Sequence, residues 1–376
     1  MPTHPPRPDD DDAYVVDTRR RPALGPRRPS VGDAPPPRRP SVGDAPPPRR
    51  RGRKGRRVVL IVGLLIVAWI AFTVWVPFSA WGKVERVDNN PAGDHPPDTP
   101  GHTYLLVGSD SREGLTKAQK KLLKTGNAAG KRTDTIMLVH VPDSGGKPAI
   151  ISIPRDSYVP IPGKGSSKIN AAFAWGGAKL LTETVEQATG LRMDGYVEIG
   201  FGGFNSIVDS IGGVDICVPR NMKDPKAGID LKKGCQLLNG PQALGYVRSR
   251  YGDPLGDLGR ANRQRQFLGA LMKKAATPAT VLVPWRFKSF ADASAGGLVV
   301  GAQTGLMDAI RVLQAMRAVS NGDGLSLTVP VASTNYPTTN AGVAVKWDTA
   351  RAKALFKALK NDEPLTAPPP GTTTEK

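Results

Sequence analysis

A run of nineteen residues without a charge, Val58–Val76, constrains this chain more than any other feature. As a helix it rises about 1.5 Å per residue and so nearly crosses a hydrocarbon core of roughly 30 Å. Trp75, Phe78 and Trp81 stand at its far end, where amphipathic rings favour the membrane interface. Arg49–Arg57, immediately before it, is almost unbroken cation, and cationic flanks stay on the cytoplasmic side. A cleaved secretory signal is the alternative, but the apolar stretch is long for one and the cleavage cue near Ser79–Ala80 is poor. The expectation is a single-pass cell-membrane protein, its N-terminus cytoplasmic and everything after Ala80 extracytoplasmic.

The formal charge of +19 at first suggests nucleic acid. Residues 1–57 hold fifteen Lys+Arg against seven Asp, a net of +8, in a segment too polar and proline-rich to bury a core. The remaining charge is spread over the rest of the chain, and no recognition helix, aromatic RNA-binding strand or zinc finger accompanies it. This balance suits anionic lipid, phosphate or pyrophosphate and argues against a nucleic-acid partner. The tail repeats RRPSVGDAPPP at 27–37 and 38–48 and reads as disordered over 1–57. The anchor takes 58–76, a proline-rich linker 77–101, one folded domain 102–362, and a loose tail 363–376.

Within that domain TYLLVGSD (103–110), DTIMLVHV (134–141) and AIISIPRD (149–156) read as strands, as do GYVEIG and GVDICVP. Helical periodicity covers 177–189, with a glycine stop, then 259–275, 304–318 and 348–360. The interleaving predicts an α/β fold, an α-β-α sandwich on a mixed sheet, preceded by one transmembrane helix. Cys217 and Cys235 are the only cysteines. An exported compartment favours a disulfide between them, and two reduced buried thiols are the alternative.

Chemistry gathers in two places. If the first two strands run antiparallel, Asp110 and Asp134 meet at one sheet edge, and a third strand parallel to the first brings Arg155 and Asp156 there. Paired carboxylates beside guanidiniums suit a hard divalent cation with a phosphate group; ordinary turn and cap residues are the alternative. The second place is 246–268. Arg248 and Arg250, read as strand residues two apart, point to one side. Arg260, Arg263, Gln264 and Phe267 share the face of a helix whose N-terminus favours anions, and arginine forks match phosphate oxygens in pairs. A solvated charged face or a membrane-surface patch is the rival reading. Walker, G-x-S-x-G and H-E-x-x-H motifs are absent, and His140, alternating within an apolar strand, reads as structural.

The order LLVGSDSR, RTDTIML, SIPRDSYV, KINAAFAWGG, TVEQATG, GFNSIVDSIGGVDI and YVRSR…D…RANRQRQF resembles the LytR-CpsA-Psr family of cell-wall glycopolymer ligases, over roughly 103–275. The resemblance implies a hydrophobic groove for a polyprenyl chain with a cationic mouth for its pyrophosphate. It implies Mg2+ (or Mn2+) on Asp110 and Asp134, and pyrophosphate on Arg155, Arg248, Arg250, Arg260, Arg263 and Gln264. Asp257 matches the acidic residue before the arginine helix, and Asp257 or Asp156 is the candidate base. The implied reaction moves a glycopolymer from a polyprenyl-pyrophosphate carrier to peptidoglycan as a phosphodiester. A hydrolase acting on the same carrier and a non-catalytic carrier-binding module are rivals, and a transcriptional regulator is a third, against which the extracytoplasmic placement and the missing DNA-binding motif speak. Arg265 stands where the family often has a second glutamine, so its role is open. The insertion 111–131, with five Lys, is placed to modify substrate access.

Overall fold

The computed structural model describes residues 52–112, 115–126, 131–249 and 256–372, apart from the side chains of residues 52–54, 256–258 and 261. The chain divides into two units, 1–58 and 59–376. The repeat-bearing tail lies outside the described residues, and of the first unit only the opening of a helix is described.

Helix α1 is Gly52–Trp81, thirty residues. It runs past the 58–76 expected from charge alone and carries Pro77 in its last turns, where one backbone hydrogen bond is lost. Its stretch from Gly55 to Trp81 is long and apolar enough to cross a membrane, and its most apolar window has no buried residue. The segment expected as a free linker is partly structured: Glu85–Val87 is strand β1, the edge of the central sheet.

The sheet continues with β2 His102–Ser109, β3 Thr133–Val141, β4 Ala149–Ile153, β5 Gly195–Ile199, β6 Leu298–Gly301 and β7 Leu325–Thr328. Its order is β1-β6-β5-β2-β3-β4-β7. β2 pairs antiparallel with β3, and β3 antiparallel with β4, so β2 and β4 run the same way, as the sequence suggested. β5 pairs parallel with β2, and β7 parallel with β4. Flanking helices are α2 Ile169–Thr189, α3 Phe201–Ser210, α4 Gly240–Arg248, α5 Gly256–Ala275, α6 Pro284–Gly297, α7 Leu306–Asn321 and α8 Thr349–Lys360. α2 breaks at Gly176 and Gly177 and stops at Gly190, whose φ of 71° is left-handed, a geometry glycine adopts without a Cβ clash.

The period of two along the central strands sorts apolar residues onto two faces. Leu105, Val107, Ile136, Leu138 and Ile151 pack with Leu181 and Val185 of α2 and Leu355 and Phe356 of α8. Tyr104, Met137, Val139 and Ile150 face α3, α4, α5 and α7 through Ile207, Leu244, Phe267 and Met316. α3 and α6 approach so closely that a Cβ on Gly203 would overlap the Gly297 carbonyl. A hairpin, Val214–Val218 with Gly234–Leu238, sets Cys217 directly opposite Cys235, and the two form a disulfide.

The last residues depart from the loose tail expected for 363–376. The Thr328 backbone N–H at the end of β7 donates to the Thr372 carbonyl at 2.7 Å, and Thr372 is buried. Residues 373–376 lie outside the described residues.

Candidate active site

Three neighbouring strand ends assemble the first half of the site. Asp110 follows β2. Its backbone N–H donates to the Arg132 carbonyl at 2.8 Å, and its Oδ1 accepts from the Arg132 N–H at 2.7 Å. This pins it to the start of β3, where Asp134 stands. Arg155 sits in the turn after β4, closed by Ser157 N–H to the Pro154 carbonyl at 2.9 Å. Its Nη1 donates to Asp134 Oδ1 at 2.5 Å, and its Nε lies 3.4 Å from Asp156 Oδ2. Asp110, Asp134, Arg155 and Asp156 therefore share one sheet edge, because β2 and β4 run parallel on either side of β3.

Two cations join that edge that the sequence reading had not singled out. Lys168 Nζ lies 3.5 Å from Asp156 Oδ1, and Arg112 Nη2 lies 3.7 Å from Asp110 Oδ2. Both stand inside the quoted motifs, LLVGSDSR and KINAAFAWGG, so a signal was present. What it lacked was a strand end to place them.

The second half comes from helices. Arg248 is the last residue of α4, which corrects its reading as a strand residue. The local cause is a capping box at Asn239 and Gln242 with Pro241 in the first turn, a strong helix start. Its guanidinium lies 4.5 Å from the centre of the Phe201 ring and donates to the Leu123 carbonyl at 3.2 Å. Arg250 and the Asp257 side chain lie outside the described residues.

On α5, Arg260 and Gln264 line a cavity together with Phe267, Leu268 and Leu271. This is the cationic-to-apolar face expected from the i, i+3, i+4, i+7 spacing. Arg263 does a different job as well: its Nε donates to the Tyr246 carbonyl at 3.2 Å and its Nη2 to the Ser249 carbonyl. Buried there, it clasps the C-terminal end of α4 and fixes Arg248 in place. Arg265 donates to the Leu327 carbonyl at 3.2 Å and to Thr328 Oγ1 at 3.0 Å, tying α5 to β7.

The described part of the insertion, residues 111–112, 115–126 and 131, is built into this region. Lys117–Leu122 forms a short helix capped by Thr116 and Gln119. Leu123 is buried in the same apolar cluster as Phe267, and Arg112 Nε donates to the Thr125 carbonyl at 2.8 Å.

Behind the polar edge lies a cavity of about 450 Å3. Its polar lining includes Ser109, Asp134, Arg248, Arg260 and Gln264, and the rest is overwhelmingly apolar, including Phe204, Ile207, Val312 and Met316. Pro77, Ala80 and Trp81, from the end of α1, contribute to the wall. An apolar chamber with a few convergent cations at one end suits an amphiphile whose head is anionic. Among the described residues no three His, Cys, Asp or Glu side chains cluster as a metal site. The Asp110–Asp134 pair suits a hard cation that takes one or two carboxylates and completes its shell with phosphate and water.

Residues 81–360 match the LytR_cpsA_psr family. The chain is 44% identical over 304 residues to "Probable cell wall biosynthesis protein LcpB" of Corynebacterium glutamicum, covering 80% of this chain and 70% of that one. It is 42% identical over 176 residues to "Polyisoprenyl-teichoic acid--peptidoglycan teichoic acid transferase TagU" of Bacillus cereus, covering 46% and 53% of the two. The chain thus spans only about half of the second relative's length. A solved structure, "TagT bound to LI-WTA", superposes with a TM-score of 0.53 at 27% identity, covering 74% of this chain and 98% of that one. The family match over residues 81–360 and the 44% identity over 304 residues show that the chain belongs to the LytR-CpsA-Psr family.

Proposed function

We propose that this protein is a membrane-anchored phosphotransferase that moves a glycopolymer from a polyprenyl-pyrophosphate carrier onto peptidoglycan. The observation that supports it best is the joining of a cationic edge to an apolar cavity of about 450 Å3. A prenyl chain fills the cavity while its pyrophosphate meets Arg155, Arg248, Arg260 and Gln264. The names of the relatives agree with this reading: a teichoic acid transferase and a cell wall biosynthesis protein. The α1 helix, with its cationic start, then keeps the N-terminus cytoplasmic and the catalytic domain extracytoplasmic.

In the proposed reaction a peptidoglycan hydroxyl oxygen bonds to the sugar-linked phosphorus. The bond from that phosphorus to the bridging oxygen breaks, and polyprenyl phosphate leaves with the electron pair. Arginine forks hold the developing charge, so positioning and electrostatics carry most of the rate. Asp156, held between Arg155 and Lys168, or Asp257 takes the hydroxyl proton. Asp110 and Asp134 would hold a divalent cation, Mg2+ or Mn2+, which when bound neutralises phosphate charge.

The test combines full-length protein, a polyprenyl-pyrophosphate disaccharide, Mg2+ and a peptidoglycan oligomer, read by mass spectrometry. A sugar-phosphate adduct on the oligomer is the expected product. Arg155→Ala should lower its formation by about 10²–10³-fold, the usual loss for one transition-state donor, at unchanged Tm. Free sugar phosphate without adduct would make the protein a hydrolase, and tight binding without turnover a carrier-binding module.

A further inference from the structure

The cavity is walled on one side by the end of the apolar helix and on another by α6. Pro77, Ala80 and Trp81 line it together with Phe287, Phe290 and Ala291. The two elements touch: Ala80 and Val84 pack with Ala295 and Val300, and Lys83 Nζ lies 3.9 Å from Asp292 Oδ1. They also feed adjacent strands, since β1 and β6 pair in parallel. Both helices therefore deliver their C-terminal ends to the same side of the sheet.

What precedes Phe287 on α6 is unusual for a surface in water. Trp285 is 73% exposed and Leu282 is 55% exposed. Pro284 and Arg286 between and beside them are exposed, as is Lys288, which pairs with Asp292 one turn on. Contiguous exposed apolar groups rimmed by charge mark protein or membrane contacts. On α1, Trp75 and Phe78 are exposed in the same way, at 59% and 65%. Exposed apolar groups thus flank the cavity on two of the elements that wall it, and one of those elements is long and apolar enough to cross a bilayer.

We propose that Leu282, Trp285, Arg286 and Lys288 form a second contact with the bilayer that holds α1. The indole and the leucine lie at the boundary of headgroups and acyl chains, and the two cations lie among lipid phosphates. Continuity with the anchor favours a lipid surface over a protein partner, and the local charge is complementary to anionic lipid. With this contact made, the cavity opens against acyl chains rather than water. An apolar chain then passes from bilayer to cavity without being hydrated. That use of the contact rests on the carrier-lipid reading above; the contact itself does not.

The experiment uses the full chain in vesicles of phosphatidylglycerol and phosphatidylethanolamine. Trp285→Cys is labelled with a nitrobenzoxadiazole fluorophore, the native cysteines being bonded to each other. Val343→Cys, at a residue 53% exposed on another hairpin, is the control. The 285 probe should emit to the blue of the 343 probe and be quenched by doxyl lipids that leave the 343 probe untouched. Equal emission and equal quenching at the two positions would overturn the contact, whatever the enzyme does. In turnover, Leu282→Ser with Trp285→Ser should cost at least about tenfold, the scale of losing the apolar burial of one such side chain, for a substrate embedded in vesicles. A short-chain substrate in detergent should be spared. Equal losses on both substrates would overturn the delivery role, while the quenching result still judged the contact.

Discussion

The central sheet is apolar on both faces, yet its two faces are built to different ends. On one, Leu105, Ile136, Leu138 and Ile151 are met directly by Leu181 and Val185 of α2 and by Leu355 of α8, and the interface is solid. On the other, Leu106, Met137, Val197 and Ile199 line a cavity of about 450 Å3 together with residues of α1 and α3 to α7. Close approach of α3 and α6 at Gly203 and Gly297 holds those helices against each other rather than against the strands. If that cavity were closed and dry, at roughly 24 cal/mol per Å3 it would cost about 11 kcal/mol, comparable to the whole stability of an ordinary domain. Composition does not separate the two faces. One face is filled by packing, and the other leaves the space that the proposed carrier chain would fill.

Single substitutions break this contrast most directly. Leu181→Ala on the filled face should cost about 2–5 kcal/mol, the range for deleting a buried leucine. Met316→Ala beside the cavity should cost clearly less, since its neighbours already adjoin empty space. Equal shifts in chemical denaturation would erase the distinction between the faces. Next in size is the disulfide, which braces a hairpin on the hollow side and is held to α5 by Gln266 donating to the Cys217 carbonyl. Cys217→Ser with Cys235→Ser should lose about 3 kcal/mol for a loop of this length, as measured by urea unfolding.

Added volume sharpens the comparison. Ala172→Phe, in the filled cluster, should overpack and destabilise by about 1–3 kcal/mol. Ala309→Phe, in the cavity wall, should leave Tm unchanged while weakening binding of a prenyl lipid. A stability loss at Ala309 matching that at Ala172 would mean the chamber has no room to give.

The smallest effect concerns His140, on the filled side of β3, next to Thr103 Oγ1 at 3.0 Å and near Asp362. Burial lowers its imidazole below the usual 6.5, against an opposing pull from Asp362. The folded state thus prefers the neutral ring. Stability from this group is present above about pH 6.5 and lost as pH falls below it. His140→Gln should flatten the Tm profile across that window, and an unchanged slope would assign the acid sensitivity to other groups.

Much of this architecture was legible in the sequence. Val58–Val76 announced an apolar helix, and the branched runs at 103–110, 134–141 and 149–156 announced three adjacent strands whose antiparallel order put Asp110, Asp134 and Arg155 at one edge. The glycine stop at Gly190 and the cationic-to-apolar face of α5 also held. Arg248 did not. The alternation of Arg248 and Arg250 resembled a strand, and only the Asn239–Gln242 capping box reveals a helix. Arg263 matched a ligand pattern, but its donors reach carbonyls of a segment that sequence distance gave no reason to place there. Lys168 and Arg112 stood in plain view inside motifs and acquired a place only when α2 and the insertion were packed against the edge.

The sequence by itself determined what is local and periodic. It set the apolar helix, the period of two that makes a strand two-faced, and the arginine spacing that gives a helix one cationic side. These follow from backbone geometry, which repeats every few residues and can be read without knowing what lies across the space. Tertiary structure alone decided which face of the sheet would be filled and which left hollow. It alone decided that the end of α1 would wall the chamber beside α6. Those outcomes depend on how far apart elements distant in sequence come to rest, and no residue records that distance in its neighbours along the chain.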